Sequence, residues 1–176
     1  LPDQFNFIHE QLIQRWQALK AQGLIVEPVY FTADYASGED TVTTEYLRDT
    51  CVQAGLQTVA IHVEDIGWNG EGFTDVDEYP ITTLFKLYPW EFLRSDEFGQ
   101  HLLQEKARLI EPAWKMLWSN KALLPVLWEL APGHPHLLEA HFKPTPLLGR
   151  SYVEKAKLGR EGASIRIVDP DHREES

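Results

Sequence analysis

The sequence is poor in cysteine and in positive charge. Its single cysteine, Cys51, has no second cysteine with which to form an internal disulfide, so we expect it to pack in the core rather than to act as a nucleophile. Sixteen Lys and Arg residues stand against 27 Asp and Glu residues, a net charge of −11 at pH 7. Nucleic acid and anionic membranes are therefore disfavoured as partners, because each phosphate contact would require a cation.

Long apolar runs are also lacking. No run approaches the roughly 20 residues needed to cross a bilayer, and the first residues, Leu1 to Gln4, show neither the basic nor the apolar region of a secretory signal. We therefore expect a cytoplasmic protein with no membrane partner. With 43% hydrophobic and 11% aromatic residues, the 176 residues suffice for one or two small globular domains.

The first third of the chain predicts an α/β unit. Apolar residues at helical spacing predict a helix over residues 7–19, and strand-like runs follow at residues 24–32 and 58–63. Between these two strands, residues 37–40 predict a turn that leads into a helix over residues 41–54. The β-α-β order predicts that the two strands pair in parallel.

The middle of the chain predicts loops, a hairpin and then helices. Three glycines within residues 67–72 predict a loop, and residues 73–88 predict a β-hairpin. Amphipathic stretches at residues 91–108 and 111–130 predict two long helices, the second kinked or ended by Pro125.

The segment 133–150 is proline-rich and contains His134, His136 and His141. Histidines at this spacing are compatible with a metal site, but zinc requires a further ligand and Cys51 is far away in the sequence. An irregular connection is the favoured interpretation, and residues 169–176 predict a disordered tail.

A glycine-containing hairpin is predicted near the C-terminal end. Two strand-like runs, residues 152–155 and 163–168, flank a loop that contains Gly159 and Gly162, and Lys155 lies at its base. Backbone amides of such a loop can close over phosphate oxygens while a lysine supplies a point charge. It is not a Walker loop or a dinucleotide motif, since no Gly-Lys-Ser/Thr follows and strands flank it. A plain glycine hairpin remains the alternative.

Several short motifs across the chain resemble the glutathionylspermidine synthase family. In chain order they are FKLYPWE at 85–91, IEPAWK at 110–115, SNK at 119–121, LP at 124–125, LW at 127–128, HP at 134–135 and GREGA at 159–163. The likeness covers roughly residues 5–168. It implies a mixed α/β chain with a pre-ATP-grasp-like subdomain at residues 1–88 and part of an ATP-grasp domain at residues 89–168.

The resemblance implies a carboxylate–amine ligase that uses ATP and magnesium. Its two nucleotide lysines correspond to Lys121 and Lys155, which lie 34 positions apart. The family's mobile phosphate loop corresponds to Gly159, Arg160, Glu161, Gly162 and Ala163. The family's magnesium ligands belong to an upstream segment, so we expect this chain to be an internal fragment that makes no amide bond by itself.

The implied partners are a peptide-like small-molecule carboxylate and an amine. The family's substrate-contacting threonines correspond to Leu87 and Phe92 here, and loss of such hydroxyls lowers preference for a polar substrate by a large factor, roughly 10⁴ in favourable cases. Glutathione and spermidine are therefore not expected as the best substrate pair. Glu45 is a candidate to hold the amine, although a solvated helix face explains this residue equally well.

A second class of function stays open on the sequence alone. A nucleotide- or polyamine-binding module without catalytic activity would also contain the lysines and the glycine loop while lacking a magnesium site. Magnesium ligands encoded upstream of Leu1 would favour the ligase over the module.

Overall fold

The computed structural model describes residues 7–104, 106–146, 151–160 and 162–169. The chain divides into two compact units, Leu1–Ala113 and Trp114–Ser176. Residues 89–113 thus belong to the first unit, whereas the boundary expected from the sequence followed residue 88. Of the predicted tail, only Asp169 lies within the described residues.

The first unit alternates strands and helices. Its elements are α1 (Ile8–Ala21), β1 (Val29–Ala33), α2 (Gly38–Gln53), β2 (Thr58–His62), β3 (Gly67–Trp68), β4 (Phe73–Thr74), β5 (Thr83–Leu87), α3 (Trp90–Leu93) and β6 (Arg108–Ile110). Short 3₁₀ turns lie at Val63–Asp65 and Gly99–Gln104. The predicted helices over residues 7–19 and 41–54 are confirmed, and the hydroxyl of Ser37 caps α2 by accepting from the Asp40 N–H at 3.3 Å.

A parallel sheet forms the centre of this unit. Within the described residues its strand order is β2-β1-β5-β6, and every pairing is parallel. The predicted parallel pairing of β1 with β2 is therefore confirmed, with Val29 opposite Thr58. All five residues of β1 are buried because strands flank it on both sides and layers cover both of its faces.

Each face of the sheet contributes to its own apolar core. On one face Trp16 of α1 packs edge-on against Phe31 of β1, and its indole N–H donates to the Thr50 hydroxyl of α2 at 3.1 Å. Cys51 is fully buried in this cluster, which confirms its predicted packing role. The opposite face carries Tyr30, Ile61, Phe73, Ile81 and Leu84. Side chains alternate between the two faces, as the pleat of a strand requires.

The predicted hairpin over residues 73–88 is wrong. β4 pairs with β3 in a small antiparallel sheet, whereas β5 enters the large sheet beside β1. Both segments have the composition of strands, so local pattern could not identify their partners. The core favours this arrangement because β5 buries residues of both of its faces only at the centre of a parallel sheet.

The predicted helix over residues 91–108 is also wrong. Among the described residues of this stretch, helical structure covers only Trp90–Leu93 and the 3₁₀ turn Gly99–Gln104, and Arg108–Ile110 form the strand β6. Gly99 lowers helix propensity by about 1 kcal/mol relative to alanine. Pairing with β5 supplies Leu109 and Ile110 with hydrogen bonds and apolar contacts that a helix at the surface would not offer.

The described elements of the second unit are all short. They are α4 (Met116–Ser119), α5 (Leu123–Leu130), β7 (Tyr152–Lys155) and β8 (Ile165–Val168). The long helix predicted over residues 111–130 is interrupted at Asn120, whose backbone is extended and whose side-chain oxygen accepts from the Ala122 N–H at 2.9 Å. Asparagine favours such caps over helix interiors. Residues 133–146 contain no α-helix or strand, as expected for an irregular connection, and residues 147–150 lie outside the described residues.

Candidate functional site

The predicted C-terminal hairpin is present in the second unit. β7 and β8 pair antiparallel, with Tyr152 opposite Val168 and Lys155 opposite Ile165. Glu154 and Arg166 lie opposite each other and form an exposed ion pair at 3.4 Å. The register places Lys155 at the last pair before the loop, so the loop begins directly after this lysine.

The loop is tightly turned at its two glycines. An ideal Cβ at Gly159 would lie 2.7 Å from the carbonyl oxygen of Ala163, a distance that real Cβ atoms do not tolerate. Gly162 has φ +80°, which side-chain-bearing residues rarely adopt. The Ala163 N–H donates to the Arg160 carbonyl at 2.7 Å and closes the turn. Glycine is thus required at both positions for steric and backbone reasons.

Lys121 is bound directly to this loop. Its backbone N–H donates to the Lys157 carbonyl at 2.8 Å, and its ammonium donates to the Gly159 carbonyl. Lys121 follows Asn120, the residue that ends α4, so the break between α4 and α5 is what delivers the lysine to the loop. The structure therefore brings together Lys121 and the predicted phosphate loop, which are far apart in sequence.

The other predicted residues of the site differ in how exposed they are. Lys155, Arg160, Gly162 and Ala163 are exposed, while Gly159 is half-buried. Glu161 lies outside the described residues. Lys157, which sequence analysis did not single out, has its ammonium 5.9 Å from the centre of the Phe142 ring. The loop and its base are therefore rich in cations, in contrast to the acidic chain as a whole.

Glu45 lies on α2 in the first unit and is held by an arginine on the next turn. Arg48 donates to both of its carboxylate oxygens, with a shortest distance of 2.5 Å, and also to the Thr58 hydroxyl at 3.3 Å. This contact raises the pKa of the Arg48 guanidinium, because the carboxylate stabilises its charged form. An amine that bound Glu45 would have to compete with Arg48, and the proposed role of Glu45 stays a prediction.

The motif around Trp90 contains a residue that sequence reasoning missed. Lys86 of β5 is 3% exposed, and its ammonium donates to the Tyr88 carbonyl at 3.0 Å. The same ammonium lies 4.3 Å from the centre of the Trp90 ring and 3.9 Å from a Glu111 carboxylate oxygen. A lysine inside the apolar run of β5 was the available signal, since buried lysines require such partners.

The two positions that the sequence analysis connects with substrate choice both follow this lysine in the chain. Leu87 is half-buried at the end of β5, and Phe92 is 50% exposed on α3, where its ring contacts Tyr88 edge-on. Both side chains are apolar. At these two positions a substrate would meet hydrocarbon rather than hydroxyl groups.

The histidine-rich segment shows local pairings. The His134 ring accepts from the His136 backbone N–H at 3.2 Å, and His141 contacts Glu139 at 2.9 Å. Across the described ranges, no group of three or more His, Cys, Asp or Glu residues is placed to hold a metal ion. In the same ranges, no helix is both long and apolar enough to cross a membrane.

The family assignment follows from comparison with known proteins. The profile of the family described as "Glutathionylspermidine synthase preATP-grasp" matches residues 2–176, nearly the whole chain. The chain belongs to this family. The parallel α/β sheet of the first unit is consistent with a pre-ATP-grasp domain. Because the match continues past residue 88, it gives no separate support to an ATP-grasp assignment of residues 89–168, which stays a prediction.

Curated relatives carry ligase names. The chain is 47% identical over 167 residues to a Haemophilus influenzae protein named, provisionally, an acid–amine ligase, covering 93% of this chain and 42% of the relative. It is 43% identical over 70 residues to glutathionylspermidine synthase of Crithidia fasciculata, covering 39% of this chain and 10% of that protein. It is 26% identical to the bifunctional glutathionylspermidine synthetase/amidase of Escherichia coli, covering 78% of this chain and 26% of that protein. The chain thus spans less than half the length of these relatives.

Proposed function

We propose that this chain is part of an ATP-dependent ligase that joins a carboxylate to an amine. The observation that carries the proposal is the attachment of Lys121 to the loop between β7 and β8, in a chain whose relatives are named ligases. The hairpin is the nucleotide-binding part, with Lys121 and Lys155 as its phosphate contacts. The ligase substrates are a small peptide-like carboxylate and an amine.

The loop residues fit an anionic ligand. The ammonium of Lys121 faces a neutral carbonyl of Gly159, so its positive charge is not cancelled by a carboxylate there. Lys155 and Arg160 add cationic side chains that are exposed at the same hairpin. The close backbone approach at Gly159 and the positive φ of Gly162 both require glycine. Because glycine has no side chain, the main chain at these two positions can approach phosphate oxygens.

When bound, ATP supplies a phosphoryl group that activates the substrate carboxylate as an acyl phosphate, from which the amine displaces phosphate to form the amide. Lys121 and Lys155 act electrostatically on the negative charge that develops during the transfer, and the loop 159–163 excludes water from it. Magnesium is different, because no group of three or more His, Cys, Asp or Glu residues in the described part of the chain is placed to hold a metal ion. We derive no step from a metal bound by these residues.

Two apolar positions narrow the choice of substrate. Leu87 and Phe92 cannot hydrogen-bond to a polar substrate, so we expect a substrate pair other than glutathione with spermidine. Phosphate release measured over a panel of peptides and amines is the corresponding assay. Glutathione emerging as the preferred carboxylate would refute this part of the proposal.

The nucleotide site is tested by replacing Lys155 with methionine in the full-length protein. Lys155→Met keeps the apolar stem and removes the charge, so folding should survive while affinity for a non-hydrolysable ATP analogue falls by about ten- to a hundredfold. His136→Ala is the matched control in the histidine-rich segment. Unchanged affinity in the lysine variant, or a comparable loss in the control, would place the nucleotide elsewhere.

Phosphate release by the full-length protein distinguishes the ligase from a binding module. A ligase releases phosphate from ATP only when both a carboxylate and an amine are present. A module binds the nucleotide analogue with the same dependence on Lys155 but releases no phosphate with any pair of substrates.

A further inference from the structure

A cavity of about 240 Å³ lies in the first unit. It opens beside the segments that follow two parallel strands, since Glu64 comes shortly after β2 and Tyr88 comes directly after β5. In open α/β sheets, ligands bind outside the carboxyl ends of the strands. The position of the cavity is therefore one at which this kind of sheet commonly binds a small molecule.

The walls of the cavity are apolar. Leu84 and Leu109 come from the sheet, Phe73 from β4, and Leu93, Phe98 and Leu102 from the segment between β5 and β6. The volume is that of roughly eight water molecules, at about 30 Å³ each. Transfer of a hydrocarbon group of that size from water into such a space is favourable. A charged group inside it would lose its hydration without gaining a partner.

The polar residues that line the cavity carry charge of one sign. Glu64, Asp96 and Glu97 are exposed carboxylates, and none of the residues described as lining the cavity is a lysine, arginine or histidine. Tyr88 lies among them, and burial raises the pKa of its phenol. The negative charge of Asp96 and a hydrogen bond to this residue raise the pKa further. Further negative charge at Tyr88 comes from Glu64 and from Asp34. The lining thus combines an apolar interior with exposed negative charge.

We propose that this cavity binds a primary amine that has a single positive charge and an apolar body. The ammonium remains beside the exposed carboxylates and the Tyr88 hydroxyl, and the hydrocarbon part contacts Leu84, Leu102 and Leu109. A polyamine does not fit this description, because its second charge would lie within the apolar walls without a carboxylate. The site involves no hairpin residue and stands independently of the proposed ligase.

The experiment compares four ligands on the full-length protein without nucleotide. Methyl NMR of the leucines reports entry into the cavity during titration with n-hexylamine, 1-hexanol, hexanoate or spermidine. We expect hexylamine to bind about three- to tenfold more tightly than hexanol, because exposed carboxylates contribute modestly each. Hexanoate should be repelled, and spermidine should leave the methyl signals of Leu84, Leu102 and Leu109 unchanged.

Variants separate the charge from the hydrocarbon contribution. Asp96→Asn combined with Glu97→Gln should remove most of the preference for hexylamine over hexanol while leaving hexanol binding intact. Glu71→Gln is the matched control, since Glu71 is an exposed carboxylate of the same unit that does not line the cavity. Leu102→Trp should abolish binding of both ligands by filling the space.

Three results would overturn the proposal, and none depends on a variant that folds. If hexylamine shifts no leucine methyl signal at any concentration, the cavity does not admit it. Equal affinity for hexylamine and hexanol would remove the role of the carboxylates. Spermidine that bound more tightly than hexylamine and shifted the same methyl signals would show that the single-charge requirement is wrong.

Discussion

The two units differ most in how they treat their apolar side chains. In the first unit, Phe31 and Ile81 are almost completely buried, and two clusters of such residues cover both faces of the sheet. In the described part of the second unit, Trp118 is 67% exposed and Leu130 is 77% exposed. Burial of apolar surface is the main favourable term in folding. The first unit is therefore stabilised mainly by its apolar clusters, whereas the second unit depends more on turns, caps and hydrogen bonds.

The candidate nucleotide-binding residues are distributed in the opposite way. The candidate phosphate contacts and the glycine loop all lie in the second unit, and the loop joins the strands of a hairpin with exposed apolar residues such as Val153 and Ile167. An isolated two-stranded hairpin is marginally stable at best. A loop that must close over a nucleotide benefits from a low cost of rearrangement, whereas the parallel sheet provides rigidity and a cavity.

The largest expected effect comes from removing a ring in the first core. Phe31→Ala should lower the free energy of unfolding by about 3 to 5 kcal/mol, because it deletes a fully buried ring that packs against Trp16 and Phe85. Phe142→Ala is the matched change in the second unit, where the ring is 52% exposed, and it should cost less than about 1 kcal/mol. Urea unfolding followed by circular dichroism measures both. Equal losses would remove the contrast between the units.

A smaller effect separates two lysines with different roles. Lys86→Met removes an ammonium that is almost completely buried, donates to the Tyr88 carbonyl and lies over the Trp90 ring, and should cost about 1 to 3 kcal/mol. Lys121→Met deletes a bond to a half-buried loop carbonyl that water can reach, and should cost about 1 kcal/mol or less while weakening binding of the ATP analogue. Thermal unfolding and nucleotide titration are measured on both variants. The comparison fails if Lys86→Met impairs nucleotide binding more than Lys121→Met does.

The smallest effect is a dependence on alkaline pH confined to the first unit. Burial raises the pKa of the Cys51 thiol from 9.0 to about 12, so the unfolded chain loses this proton first as pH rises. The stability that the protonated thiol contributes is fully present below pH 9.0 and is lost between pH 9.0 and about 12. By pH 10 the loss in the free energy of unfolding is about 1 kcal/mol. Burial and a hydrogen bond to Asp75 raise the pKa of Tyr30 to about 12 as well, which adds a loss above pH 10.0.

Urea unfolding at pH 7 and at pH 10 provides the measurement, with Cys51→Ala as its control. The variant should lose less stability between the two pH values than the unaltered protein, whatever its stability at pH 7. An identical pH dependence in both proteins would show that the thiol does not contribute.

Local pattern was sufficient where an element is specified by its own residues. The spacing of Ile8, Leu12 and Trp16 predicts α1, and the turn predicted at residues 37–40 leads into α2, although this helix begins at Gly38 rather than at residue 41. The hairpin strands were predicted from the alternation of Ile165 and Ile167 with polar residues, and the glycines mark the loop. Pattern was insufficient for β5, because strand composition does not identify the partner strand, and for β6, because a helix was predicted up to residue 108 and no strand at residues 108–110.

The sequence by itself determined the family, the α/β class, the parallel β1–β2 pair and the candidate loop with its lysines, since short motifs, periodicity and glycine positions are local properties. Only the tertiary structure decided that β5 lies at the centre of the sheet, that Lys86 is buried beside Trp90, and that Lys121 meets Gly159. It also decided that carboxylates gather around an apolar cavity. These are contacts between residues distant in the chain, and they form because burying apolar surface and satisfying buried polar groups are properties of the whole fold.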